Sequence, residues 1–250
     1  MSTWKPAMDY ERAIGDLPMA VHEQLWNEQQ LAEPVQLPAW RLWRYAQPVV
    51  VLGCSQRRLL SGADELVGMP VLVRASGGGA VLTGPWMLGL SVALPPDHPL
   101  ATSGPVGSYR WLGEDLAQVL RGAGLVGAHA VSPESLRATG PPQRPQGVDW
   151  ACFGGLSPWE VLTADGRKLV GLAQVRKRTG VLLVGGVLLE ASPWALLCRT
   201  LARGSGDAQQ LAQLTSSCRE ELDASFDAQA LERSVAEALR RRLERQNCTQ

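Results

Sequence analysis

Three stretches of this sequence hold residue types that could bind a ligand or act on one. In RASGGGAVLTG, residues 74–84, an arginine precedes three consecutive glycines. Glycine adds no packing to a strand and its backbone freedom must be frozen. Such a run between apolar segments therefore needs either an unusual backbone angle or the close approach of another molecule. It offers backbone N–H groups that no Cβ shields, and Arg74 at its edge suits a phosphate or a carboxylate. It is not a P-loop, since no Gly-Lys-Ser/Thr follows, and it is not a GxGxxG opening a helix. A bulged hairpin turn with no ligand would carry the same letters.

The second stretch is WACFGG, residues 150–155, and the third is ADGRKLVGLAQVRK, residues 164–177. Cys152 lies between aromatics and before two glycines. A reactive cysteine works as the thiolate, which needs a base or cation beside it. The chain has three histidines, at 22, 98 and 129, none in a motif with Cys152. The better partner is a lysine. Of 24 basic residues only Lys5, Lys168 and Lys177 are lysines. A lysine kept in so Arg-rich a chain points to a need for a compact ammonium, or one able to lose its proton. The inert readings are a small apolar cysteine and a solvated lysine after a turn.

These stretches need elements to hold them. Apolar periodicity predicts a first amphipathic helix over 16–30, with Asp16 as cap and Met19, His22, Leu25 and Trp26 on one face. Strands follow: one or two over 39–53, then 68–76, 80–84 and 88–95. A second helix spans 109–123, with Trp111 or Leu112, Leu116 and Leu120 inward. VSPESLRATGPPQRPQG, residues 131–147, reads as a long surface loop by its prolines and glycines. Residues 158–175 read as a hairpin turning at ADGR, and 180–190 adds further strand. From about 192 the chain reads as helical, with Leu231, Val235, Leu239 and Leu243 at steps of four and an Arg run facing solvent. Without βαβ alternation, the expected class is α+β: a mixed, largely antiparallel central sheet with flanking helices. The expected organisation is a catalytic domain over 1–190, with helices of 191–250 packed on the same domain.

Composition narrows the function classes. At 250 residues and 45% hydrophobic content the chain can bury a large core, and its formal net charge of zero favours neither nucleic acid nor an anionic membrane surface. The first 20 residues place charges and prolines where a secretory h-region would be apolar, and 180–197 is broken by Glu190 and Pro193. Five scattered cysteines without a CxxC pair argue against a zinc site or thioredoxin motif, so no metal is expected. Reduced thiols in a cytoplasm are the expectation.

Taken together, LPMAVHEQLW (17–26), WRLWRYAQPVVVLGCSQ (40–56), VLVRASGGGAVLTGP (71–85) and the 151–190 segment opening ACFGG and carrying GRKLVGLAQ resemble the biotin/lipoate protein ligase superfamily. The likeness is to its lipoate branch, the lipoate–protein ligases and cysteine-dependent octanoyltransferases. The resemblance implies the class II biotin/lipoate ligase-like catalytic fold. It implies that Cys152 carries a thioester and that Lys168 contacts the acyl carbonyl or an adenylate. It implies that Arg74, Ser76, Gly77, Gly78, Gly79, Ala80, Thr83 and Gly171 bind the acyl group or acyl-adenylate. Acceptors would be lysines of lipoyl domains, in 2-oxoacid dehydrogenases or the glycine cleavage H protein, with acyl carrier protein a candidate donor. A transferase would hold no tight cofactor; a ligase would use ATP and Mg; lipoate or octanoate is the substrate in either case. A third expectation is a non-catalytic acyl- or protein-binding relative. The sequence departs from the family pattern at Thr83, where a His is usual, at Trp86, where a Gly is usual, and at Met87, a polar position. Those changes imply a reshaped acyl site.

Overall fold

The computed structural model describes residues 17–62, 68–138 and 147–247. In chain order the elements are α1 (Met19–Gln30), β1 (Ala39–Arg44), β2 (Val49–Leu52), a 3₁₀ turn (Cys54–Gly62), β3 (Val71–Val73), β4 (Val81–Thr83) and β5 (Met87–Leu94). Then come α2 (Gly104–Gly107), α3 (Arg110–Gly122), β6 (His129–Ala130), α4 (Pro133–Ala138), a 3₁₀ turn (Cys152–Gly154), β7 (Val161–Leu162), β8 (Lys168–Lys177) and β9 (Gly180–Leu188). Helices α5 (Trp194–Thr200), α6 (Ser205–Leu214), α7 (Cys218–Leu222) and α8 (Ala228–Asn247) complete it.

The main sheet has six strands in the order β1-β5-β9-β8-β7-β6 with antiparallel neighbours throughout. A second sheet, β3-β2-β4, pairs β2 parallel to β3 and antiparallel to β4. The class is α+β, as the lack of βαβ units predicts. The 39–53 segment is two strands in different sheets, because Gln47-Pro48 ends one and the continuous apolar run of β2 is then buried on both faces.

Strand alternation divides the core. Leu88, Leu90, Val92, Val181, Leu183 and Val187 pack against α3 and α8, whose Leu116, Leu120, Leu231, Val235, Leu239 and Leu243 form the facing stripes. The Arg run of α8 faces outward at 240 and 241, while Arg242 turns inward to pair with Asp115 of α3 through two donors. The opposite face of the main sheet, joined by β2, Leu82, Trp194, Leu197 and Leu211, encloses a second core.

Two local expectations are corrected. Helix α1 forms, but its buried face carries Ala20, Glu23 and Asn27, with Met19 and Leu25 exposed. Trp26 packs edge-on to Trp43 at 6.0 Å, and this aromatic contact sets the helix's rotation. The 131–147 stretch is not all loop, since α4 occupies 133–138; Ser132 Oγ accepts from the Ser135 N–H at its start. Residues 139–146, Asp16, Lys5 and Cys248 lie outside the described residues.

Candidate active site

The three glycines serve three different ends. Gly77 faces open space. Gly78 adopts φ +91°, a left-handed conformation that side chains strain. Gly79 lies so close to the 150–152 backbone that a Cβ would come within 2.5 Å of the Ala151 carbonyl carbon. That approach lets the chains stitch together: Ala80 N–H donates to Trp150 O at 2.8 Å and Cys152 N–H to Ala80 O at 2.7 Å. The run thus fixes the backbone of the cysteine. Arg74 braces it from within, donating from Nη2 to the Gly77 and Gly79 carbonyls at 2.8 Å each, and from Nη1 to Val51 O at 3.3 Å. Its Nε is buried without a partner.

Lys168 opens β8 just after the Asp165–Gly166 turn and is 1% exposed. Its ammonium donates to Cys152 O at 2.7 Å and to Gly155 O at 3.0 Å, and pairs with Glu160 Oε2 at 2.7 Å. Three N–H groups meet three acceptors. Glu160, equally buried, also accepts from Ser157 N at 2.7 Å and Leu172 N at 3.2 Å. A buried charge pair tolerates no vacancy, and this one has none. The backbone before Glu160 is strained: Trp159 has φ +68°, held by its N–H bond to Val131 O at 2.7 Å. That kink turns the carboxylate inward.

The thiol and the lysine stem meet over Gly171. A Cβ built there would lie 3.4 Å from Cys152 Sγ, 3.4 Å from Phe153 Cζ and 3.5 Å from Lys168 Cε. A cavity of about 60 Å³ opens from this point, lined by Cys152, Phe153, Thr83, Met87, Tyr45 and Glu23 among others. Tyr45 donates its hydroxyl proton to Glu23 Oε2 at 2.8 Å. Burial pushes the Glu23 carboxyl up to about 7, against the opposing pull of the Tyr45 hydrogen bond and the Arg74 charge. Burial and the neighbouring carboxyl hold the Tyr45 phenol well above its ordinary range. A larger surface groove of about 710 Å³ between α3 and α8 is lined by paired charges such as Asp115 and Arg242 and by no cysteine or lysine.

The expected site residues therefore converge, with altered parts for some. Cys152, Arg74, Gly171 and Thr83 border one cavity, the Lys168 stem packs behind it against Gly171, and Ala80 binds the cysteine's backbone. Ser76 is buried beside an adjoining cleft, its carbonyl accepting from Cys54 N–H at 3.0 Å. Thr83 spends its hydroxyl on Val49 O at 3.1 Å. The Trp86 indole folds over Gly84 and donates to Leu82 O at 3.1 Å, so it does not line the cavity; Met87 does. Glu160, Glu23 and Tyr45 escaped the sequence reading. Glu160 had a usable signal, an acid inside the apolar run of PWEVL.

A family model described as the lipoyl protein ligase A/B catalytic domain matches residues 16–240. The chain belongs to that family. Among curated members of it, an octanoyltransferase LipM of Moorella thermoacetica is 34% identical over 155 residues, 61% of this chain and 54% of that one. Another, from Exiguobacterium sp., is 32% identical over 179 residues, 68% of this chain and 60% of that one. This lipoyl ligase family chain thus spans about half to three-fifths of those relatives' lengths. The fold is that of a bipartite lipoate protein ligase of Thermoplasma acidophilum, with TM-score 0.60, 17% identity, and coverage of 87% of this chain and 76% of that one. A lipoate–protein ligase A solved with ATP superposes with TM-score 0.58 at 16% identity, over 86% of this chain and 76% of that one. Among the described residues no helix is long and apolar enough to cross a membrane.

Proposed function

We propose that the protein transfers an octanoyl or lipoyl group to lysines of lipoyl domains through a thioester on Cys152. The observation that carries this reading is the meeting of the Cys152 thiol and the Lys168 stem over Gly171, where Cys152 and Gly171 line a cavity. Similarity to the LipM octanoyltransferases supports it. The thiolate attacks the donor thioester carbonyl, the tetrahedral oxyanion collapses, and the donor thiol leaves with a proton. The lipoyl-domain amine then attacks the Cys152 thioester, forming the amide and losing a proton that restores the Cys152 thiol. Lys168 clamps the Cys152–Gly155 turn that presents the sulfur. Its longest bond, to Gly155 O, is the one to be exchanged for the acyl oxygen as charge develops there. Arg74 and the glycine run hold the wall of the site in place.

In this reading residues 1–190 form the catalytic unit and the helices after 190 belong to the same domain, since their apolar stripe fills its core. No tight cofactor is needed. The protein would work in the cytoplasm, where lipoyl domains of 2-oxoacid dehydrogenases or a glycine cleavage H protein accept the group and an acyl carrier protein supplies it. The archaeal neighbour, described as a bi-partite lipoate protein ligase and its E2 lipoyl domain, fits such an acceptor. Incubation with an octanoyl-carrier thioester is expected to add one octanoyl group by intact mass, lost in Cys152→Ser. Release of pyrophosphate from lipoate, ATP and Mg, without a Cys152 adduct, would favour the ligase reading instead. Failure of both, with no rescue of a lipoylation-deficient strain, would leave a binding relative.

A further inference from the structure

We propose that Tyr45, held by Glu23, is the stop that sets the acyl-chain length this site accepts, an inference that rests on the acyl-transfer reading above. Strand register places Gly171, Gly186 and Gly89 side by side across β8, β9 and β5. Directly opposed residues point to the same face, so the three make a row free of side chains across the sheet. Cys152 Sγ stands over the first. The Met87 thioether lies over the second, where a Cβ would be 2.8 Å from its sulfur, and an unbranched Met side chain yields readily. The third is filled: a Cβ on Gly89 would come within 1.9 Å of the Tyr45 hydroxyl oxygen and 2.7 Å of Cζ. Beyond it the row is closed by Trp43, the register partner of Gly89 on edge strand β1.

From Gly171 to Gly89 is two inter-strand steps, about 10 Å, a span that an extended chain of roughly eight carbons covers. The cavity is lined by groups of the same row, Cys152, Gly171, Gly186, Met87, Tyr45 and Glu23 among them. The stop is also rigid. Tyr45 is 4% exposed, and its phenol hydrogen is spent on Glu23, so an alkyl end meets an oxygen with no donor left to satisfy.

The test is a competition of hexanoyl, octanoyl, decanoyl and dodecanoyl carrier thioesters in one tube, with Cys152 adducts read by intact mass. Wild-type protein is expected to favour octanoyl. Tyr45→Leu is expected to raise the decanoyl-to-octanoyl ratio by about tenfold, the worth of burying two further methylenes. Tyr45→Phe, which keeps the ring and removes the hydroxyl, is expected to shift it the same way by less, and decides the matter if the leucine variant does not fold. An unchanged ratio, or an equal fall for every length, while wild-type protein forms its octanoyl adduct, overturns the stop alone. Absence of any adduct on wild-type protein overturns the transfer reading and the stop together.

Discussion

The Lys168–Glu160 pair shows why residue types alone understate a site. From the sequence Lys168 reads as a cation offered to a thiolate or an acyl oxygen. Folded, its three N–H groups are committed to Glu160 and to the carbonyls of Cys152 and Gly155. The lysine's first task is to hold the turn that carries Cys152. Removing either partner leaves a charge buried alone, so Glu160→Ala or Lys168→Met is expected to cost about 3–5 kcal/mol of stability. The double variant Glu160→Gln/Lys168→Met, with both charges gone, is expected to recover most of that in urea denaturation. Its acyl transfer is expected to stay lost. A double variant as unstable as the singles would show that the pair is not the cause. Cys152 and Lys168 could be singled out in the sequence because the chain uses so few lysines and because both lie in segments that resemble the family. Glu160 could not, because its role exists only where β7 meets β8.

Among the elements, the glycine run answers to both possibilities that its sequence raised. Gly78 needs an unusual angle; Gly79 needs a close approach, but to the chain's own 150–152 segment. Only Gly77 leaves space for a ligand. Gly79→Ala is expected to force the cysteine turn away and reduce transfer tenfold or more, since a displacement near 1 Å at a reacting group costs about two orders of magnitude. Gly77→Ala is expected to leave the denaturation midpoint unchanged, because nothing lies within 4 Å of its Cβ. Comparing melting and transfer rates of the two variants checks this. Equal effects on both would refute the division of labour. Strand positions were legible from runs such as VVVL and LGLSVAL. The rotation of α1 was not, since its short apolar list could not foresee that Trp26 would seat on Trp43 while Glu23 turned inward.

At the scale of the whole molecule, Glu23 ties global stability to pH. Its carboxyl is pushed up to about 7 in the folded protein from an ordinary 4.5, so the folded state binds the proton more tightly. Stability from this group is then full below pH 4.5, falls as pH rises through 4.5 to 7, and is level above. The fall amounts to about 3 kcal/mol at most. Glu23→Gln, which never ionises, is expected to lose that slope and to exceed wild-type stability above pH 7. Urea midpoints measured from pH 4 to 8 decide it; parallel curves for the two proteins would reject the assignment.

Apolar periodicity and turn chemistry were enough to specify the α+β class, the longer strands and both long helices, though not β6 (His129–Ala130), while the family resemblance singled out the segments bearing Cys152, Lys168 and Arg74. These are local properties, carried by spacing along the chain. What the tertiary structure alone decided is which groups share a space: Glu160 against Lys168, Arg74 inside its own loop, and Tyr45 over Gly89 beside a cavity that Cys152 also lines. Glu160 lies 8 residues from Lys168, and Tyr45 lies 44 from Gly89. Only strand register and burial bring them together, and no periodicity in the sequence encodes a register.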